Sequence, residues 1–298
     1  MDIIKYSKVW LLLALILVVV SIGLVAVFGL KFGIDFTGGS LLELDFSTAT
    51  PAVSVVENIL KPLNVGEVSI QSVGQSRMTI RSTTLSEGKH QEIIAILKNV
   101  FPALEEKRFE SVGPTIGEEL RKKSVLSLVL VIMAIIAYLT WTFRTVSYPV
   151  ASWKYGLAAI VALIHDVTLP LGIFVILGHF FNVEINALFV TAMLTILGFS
   201  VYDTIVIFDR IRENLLHNKN LLKIKTGFRD IVNNSINQSI ARSVNTSFSA
   251  ILVLLAIFFF GGESVKYFVL ALMLGMFFGT YSSIFVASSL LVLWQKRD

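Results

Sequence analysis

A carboxylate or guanidinium at the centre of a bilayer-spanning helix is disfavoured by roughly 2.5–3.5 kcal/mol, so such residues are functional candidates by default. Asp203 is one. It sits in Ser200-Val201-Tyr202-Asp203-Thr204, inside an apolar run and on the order of 10 Å along a helix from Arg210. It reads either as a proton-carrying carboxylate or as an acid held by a neighbouring helix for packing specificity. Arg242 opens another apolar run, within Ser239 to Thr246. It reads either as a cation that pairs with Asp203 and shifts its proton affinity with conformation, or as a residue snorkelling to the interface. Ser243, Thr246 and Ser249 continue a polar stripe from it, which a lipid-facing snorkelling residue would not need. His165-Asp166 lies some way into a third run, with Pro170 one turn on. The pair is either a second protonatable site or relay, or a buried polar pair that fixes helix packing.

Other patterns read as structural. Ala271, Gly275, Gly279, Ser283 and Ala287 form a small-residue stripe at every fourth position, a close-packing face for a helix of this chain or of a partner subunit. Asp209-Arg210-Ile211-Arg212-Glu213-Asn214 carries acids and bases at i,i+3 and i,i+4 spacing, as an interfacial helix anchored by its cations would. Walker A, HExxH and nucleophile-elbow patterns are absent, so the expectation is no enzyme, no cofactor and no bound metal. Cysteine is absent too, which excludes a disulfide framework and thiolate chemistry. Any work must therefore draw on an ion gradient or on a partner.

The elements that position these residues are membrane helices. Of the 298 residues, 55% are hydrophobic and only 15% are charged, with a mean hydropathy of +0.77, well outside the soluble range. About 20 apolar residues cross the hydrocarbon core. The candidate spans are Val9 to Leu30, Val125 to Phe143, Gly156 to Phe180, Ile185 to Phe208, Val244 to Phe260 and Val265 to Trp294. The first is longer than the roughly 7–15-residue core of a signal peptide and lacks a small-x-small cleavage site, so it reads as an uncleaved anchor. Lys5, Lys8, Arg144, Lys154, Arg210, Arg212, Lys219, Lys223, Lys225, Arg229, Lys296 and Arg297 all fall on one side of such a bundle. The opposite short loops are cation-poor. Both termini are therefore expected in the cytoplasm.

The long segment after the first span reads as a folded extracytoplasmic domain. Ser40 to Phe46 alternates as a strand, Pro51 to Leu63 is helical, and Val68 to Val73 and Met78 to Arg81 are strands joined by a turn at Gly74 to Arg77. Glu87 to Val100 is helical, Lys107 to Val112 is a last strand, and Pro114 to Lys123 forms a short helix running into the second span. The order β-α-β-β-α-β is the ferredoxin-like arrangement. The expected organisation is residues 1–31 as terminus and first helix, 32–123 as the ferredoxin-like domain with its connecting helix, and 124–298 as the remaining five helices.

Several of these segments together resemble the SecF family of Sec translocase subunits, in the SecD/SecF group of the resistance-nodulation-division superfamily. Gly33-Ile34-Asp35-Phe36-Thr37-Gly38-Gly39 is similar to that family's opening signature. Ser111-Val112-Gly113-Pro114 with Gly117-Glu118-Glu119-Leu120 resembles its segment before the second span. His165-Asp166, the run from Tyr202 to Asn214, and Ser239 to Ser247 match its later motifs in order. The segment from Leu215 to Val232 looks several residues longer than is usual for the family. The resemblance implies a subunit that pairs with SecD, associates with the SecYEG channel, and uses the proton-motive force to complete export of preproteins driven by SecA. A membrane insertase and membrane lipid are further implied partners, nucleic acid is not, and the implied location is the inner or plasma membrane of a prokaryote. It implies Asp203 as the proton-pathway acid and Arg242 as its basic partner, with Asp166 a further candidate. The alternative is a proton-coupled exporter of lipids or small solutes from the same superfamily, which would normally carry a much larger outer domain and twice the spans. A scaffold whose buried charges only fix packing is a third.

Overall fold

Apolar runs too long for a soluble core fold here as helices, six of them long and apolar enough to cross a membrane among the described residues. The structure is a computed structural model and describes residues 1–47, 49–144, 150–220 and 227–295. A 3-10 turn, Ile4–Tyr6, leads into α1 (Ser7–Phe28), followed by α2 (Ile34–Thr37), β1 (Gly39–Asp45), α3 (Val53–Leu60), β2 (Ser69–Val73), β3 (Arg77–Ser82), α4 (Glu87–Val100) and β4 (Glu105–Val112). Then come α5 (Pro114–Thr142), α6 (Ser152–Phe181), α7 (Ala187–Asn220), α8 (Phe228–Phe260) and α9 (Glu263–Tyr281). A π-helical turn, Ser282–Ala287, joins α9 to α10 (Ser288–Leu293). The chain divides into two units, one of Met1–Lys31 with Leu126–Asp298 and one of Phe32–Val125.

The second unit holds a four-stranded antiparallel sheet in the order β2-β3-β1-β4. With α3 and α4 in the crossovers this is the ferredoxin-like β-α-β-β-α-β arrangement. Alternation puts Leu42, Leu44 and Phe46 on the buried face with Met78 and Ile80. Val56 and Leu60 of α3 and Ile93, Ile94 and Leu97 of α4 close over them. Helix α4 starts where Ser86 caps it, accepting from the Lys89 amide. Gln91 and His90 hydrogen bonds hold the exposed Glu87 carboxyl below its ordinary range. Helix α3 starts at Val53, not Pro51, and gives way to a 3-10 turn at Lys61–Leu63, where Pro62 offers no amide donor. The expected short helix from Pro114 is instead the first turns of one continuous helix to Thr142.

In the first unit the helices outrun the apolar windows. Helix α7 continues past Phe208 to Asn220, and α8 begins at Phe228, well before Val244. Those added turns are amphipathic: α8 buries Phe228, Ile231, Val232, Ser235 and Ile236 there. Pro170 lies inside α6 without ending it. The small-residue stripe packs within the chain. A Cβ on Gly275 would stand 2.0 Å from Ile196 Cδ1, and one on Gly279 would stand 3.2 Å from Ser200 Cβ, both on α7.

Hydrogen bonds also gather the cation-bearing segments at one end of this unit. The Ile3 amide donates to Asn233 Oδ1 at 2.9 Å, and Asn237 Nδ2 donates to the Met1 carbonyl at 2.8 Å. Lys154 Nζ donates to the Trp294 carbonyl at 2.7 Å. Lys223, Lys225, Lys296 and Arg297, also counted in the charge pattern, lie outside the described residues.

Candidate functional site

The buried side chains of His165, Ser200 and Ser282 converge on Asp166. It is fully buried, and His165 is 2% exposed. Its Oδ1 contacts His165 Nδ1 at 2.9 Å. Its Oδ2 accepts from the Ser282 hydroxyl at 2.7 Å and from the Ser200 hydroxyl. The π-turn explains how α9–α10 contributes. A wider turn holds an extra residue, so Ser282 and Ser283 are both buried. Ser282 reaches Asp166 while Ser283 meets Thr204 Oγ1 at 2.7 Å. The carboxylate is thus held from α6, α7 and the π-turn at once.

Asp203 is treated differently. It is 6% exposed, and its Oδ2 is buried without a hydrogen-bond partner. The Ser243 hydroxyl of α8 faces it, but Ser243 Oγ also makes no bond of acceptable geometry. Among the described residues no ion pair joins Asp203 to Arg242. Arg242 is exposed, as are Asn245, Thr246 and Ser249 on the same helix. The expected polar stripe therefore splits into two adjacent ones. Ser239, Ser243 and Ser247 point into the bundle, where Ser247 bonds Thr280 of α9. Arg242, Asn245, Thr246 and Ser249 point out of it.

Beyond the span, Asp209 to Asn214 docks α7 on α8. Arg210 pairs with Glu213 at 2.5 Å and donates from Nε to Gln238 Oε1 at 2.6 Å. Asn214 Nδ2 donates to Ser235 Oγ and Gln238 Oε1, and Arg212 lies 3.6 Å from Asp209.

In the other unit, two motifs distant in sequence meet. Gly33 caps α2, whose first turn holds Asp35, and Gly38 and Gly39 follow with φ of +73° and +121°, a backbone that favours glycine. A Cβ on Gly38 would stand 2.8 Å from Pro114 Cα, and one on Gly117 would stand 2.9 Å from Gly38 N. Gly113 and Pro114 start α5, the Gly113 carbonyl accepting the Gly117 amide at 3.0 Å. Gly38 and Gly117 thus permit close backbone packing, whereas a Cβ on Gly113 would meet nothing.

Ser200, Thr204 and Ser282 carry no signal of their role in the sequence, and Ser243 stands there only as part of the stripe beside Arg242. A serine in an apolar helix carries no charge signal, and only the register between helices shows what it faces. The adjacent pair Ser282-Ser283 in a span was the one available hint.

A polytopic bundle with two buried carboxylates, joined to a ferredoxin-like domain between its first two spans, defines a membrane protein organised around intramembrane ionisable groups. The chain belongs to the SecD/SecF family of protein export membrane proteins. Residues 92–297 match the model of the SecD/SecF C-terminal family, and residues 23–50 match that of the SecD/SecF GG motif. The protein translocase subunit SecF of Thermobaculum terrenum is 43% identical over 309 residues, covering 100% of this chain and 95% of that protein. The subunit of the same name from Anaerolinea thermophila is 38% identical, covering 98% and 94%. The crystal structure of SecDF, a translocon-associated membrane protein from Thermus thermophilus, superposes with a TM-score of 0.80 at 33% identity. That match covers all of this chain but 39% of the SecDF polypeptide. A SecDF structure in a super-membrane-facing form matches at 0.68 and 30% identity, covering 99% and 38%.

Proposed function

We propose that this chain is the SecF-type subunit of a Sec protein translocase, acting with a SecD partner to promote and complete preprotein export through a SecYEG channel at the expense of the proton-motive force. Near-full-length similarity to proteins named SecF favours this reading over a solute exporter. The chain corresponds to 39% of a SecDF polypeptide, which is why a SecD portion is its expected partner. Engagement of preproteins driven by SecA, of a membrane insertase and of lipid belongs to the same proposal, as does a cytoplasmic location for both termini.

The observation that carries the energetic part is Asp203, a nearly buried acid in a membrane span with an unpartnered oxygen. One charge crossing 100 mV is worth ~2.3 kcal/mol. That is enough to bias a two-state rearrangement if protonation of Asp203 changes which groups it can meet. The outward stripe of Arg242, Asn245, Thr246 and Ser249 supplies such a group on a face that hydrocarbon would not tolerate. In this reading ionised Asp203 attracts Arg242, and its protonation releases the attraction and lets α7 and α8 rearrange. Asp203→Asn, reconstituted with SecD and the channel, is expected to keep ATP-driven translocation and lose the increment that a proton gradient adds. Full retention of that increment would remove Asp203 from the mechanism.

A further inference from the structure

Asp166 and Asp203 are buried in the helical unit with no buried Lys or Arg among the described residues; the base buried with them is His165. An unneutralised anion in such an interior is strongly disfavoured. The hydrogen bonds around Asp166 indicate where a neutralising proton goes. Asp166 Oδ2 accepts from the hydroxyls of Ser200 and Ser282, and Oδ1 lies 2.9 Å from His165 Nδ1; with the carboxylate ionised, Oδ1 can only accept. The imidazole proton is thereby placed on Nδ1, and Nε2 carries a lone pair. Nε2 is buried and has no hydrogen-bond partner among the described residues. An acid that fixes a histidine tautomer in this way leaves the far nitrogen basic.

The geometry points to His165 as a second proton-binding site of the bundle, taking up its proton at Nε2 while Asp166 holds the ring. Uptake converts a net-anionic dyad into a neutral imidazolium–carboxylate pair. The proton comes from water on one side of the membrane and returns to water on the other. The groups facing the dyad are few. From α9 the rings of Tyr281 and Phe278 lie 5.7 Å and 6.2 Å from the imidazole, centroid to centroid. Ser282 approaches from the π-turn and Ser200 from α7. The charge facing it from α7 is Asp203, which interacts electrostatically with Asp166. This inference rests on the reading that a proton gradient drives the chain, but its main test does not.

That test is 15N-histidine NMR of the full chain with its SecD partner in lipid nanodiscs. The chain has 4 histidines. Substituting His90, His179 and His217 in turn assigns the remaining signal to His165 without altering it. The expected result is a protonated Nδ1 and bare Nε2 at neutral pH, with Nε2 gaining a proton on acidification. The opposite tautomer, or an Nε2 that stays bare on acidification, overturns the inference. In translocating vesicles His165→Asn keeps an amide donor towards Asp166 but has no basic nitrogen, and it is expected to lose the gradient-dependent increment. If it matches wild type while Asp203→Asn is inactive, His165 is structural. If Asp203→Asn also keeps the increment, the gradient-driven reading fails and the NMR result still decides the proton site.

Discussion

At the scale of single residues, the two buried acids have opposite surroundings, and stability and function should separate along that line. Asp166 is satisfied from three segments. Asp203 carries a buried oxygen with no partner. A hydrogen bond to a charged group is worth about 1.5–3 kcal/mol in soluble proteins, whereas interhelical bonds in membranes average ~0.6 and reach ~1.7. Ser282→Ala is therefore expected to lower unfolding stability by about 1–2 kcal/mol. Asp203→Asn relieves an under-solvated carboxyl and is expected to raise it by about 0.5–2 kcal/mol while abolishing gradient coupling. Denaturant unfolding of both variants in one detergent checks this; a destabilised Asp203→Asn would mean that the acid is held for packing. Asp203, Arg242, His165 and Asp166 were legible in the sequence because a charge in an apolar run is conspicuous. Their partners were not. Arg242 and Ser243 are neighbours in sequence, yet one faces out and the other in, a difference that only helix packing decides.

At the scale of elements, legibility followed the strength of the local signal. Helix α4 runs from Glu87 to Val100 as its periodicity and Ser86 cap require. The short α2 was missed because a four-residue helix between glycines has no period to detect. The π-turn was missed because Ala271 to Ala287 repeats every fourth position, as an uninterrupted α-helix would, although a π-turn occupies Ser282–Ala287. What the stripe does show is contact, and contact can be tested. A Cβ on Gly275 meets Ile196 side-chain atoms at 2.0, 2.3 and 2.7 Å, and Ile196 is β-branched, hence stiff. Gly275→Ala is expected to destabilise by roughly 1–3 kcal/mol despite alanine's better helix propensity. Adding Ile196→Ala should restore much of the loss, a coupling that a double-mutant cycle reads directly. Gly23, in α1, has open space where its Cβ would go, so Gly23→Ala should be neutral or stabilising. Equal losses at Gly275 and Gly23, with no rescue by Ile196→Ala, would refute packing of α9 on α7 at this point.

At the scale of the whole molecule, sidedness is the feature on which the functional reading most depends, because a proton gradient has a direction. The cation count gives one half of the case. Lys5, Lys8, Lys154, Arg210, Arg212 and Arg229 lie in or beside segments that hydrogen bonds gather at one end of the helical unit, through Asn233, Asn237 and the Trp294 carbonyl. The far end of α1 gives the other half. There Lys31 Nζ meets Asn182 Oδ1 at 2.5 Å, and the Ile185 amide donates to the Lys31 carbonyl at 2.8 Å, between spans whose short connection is cation-poor. By the positive-inside rule the first end is expected to be cytoplasmic, and the domain that follows Lys31 is expected to begin on the opposite side. The absence of cysteine makes this simple to check, since an introduced thiol has no background. Lys98, exposed on α4, and His217, exposed near the end of α7, report on the two sides. A membrane-impermeant maleimide applied to intact spheroplasts is expected to label Lys98→Cys and not His217→Cys, with His217→Cys reacting only after lysis. The reverse pattern would place the cation-rich end outside, would put Asp203, which lies towards that end of α7, nearer the outer water than the inner, and would overturn the sidedness on which the functional reading rests.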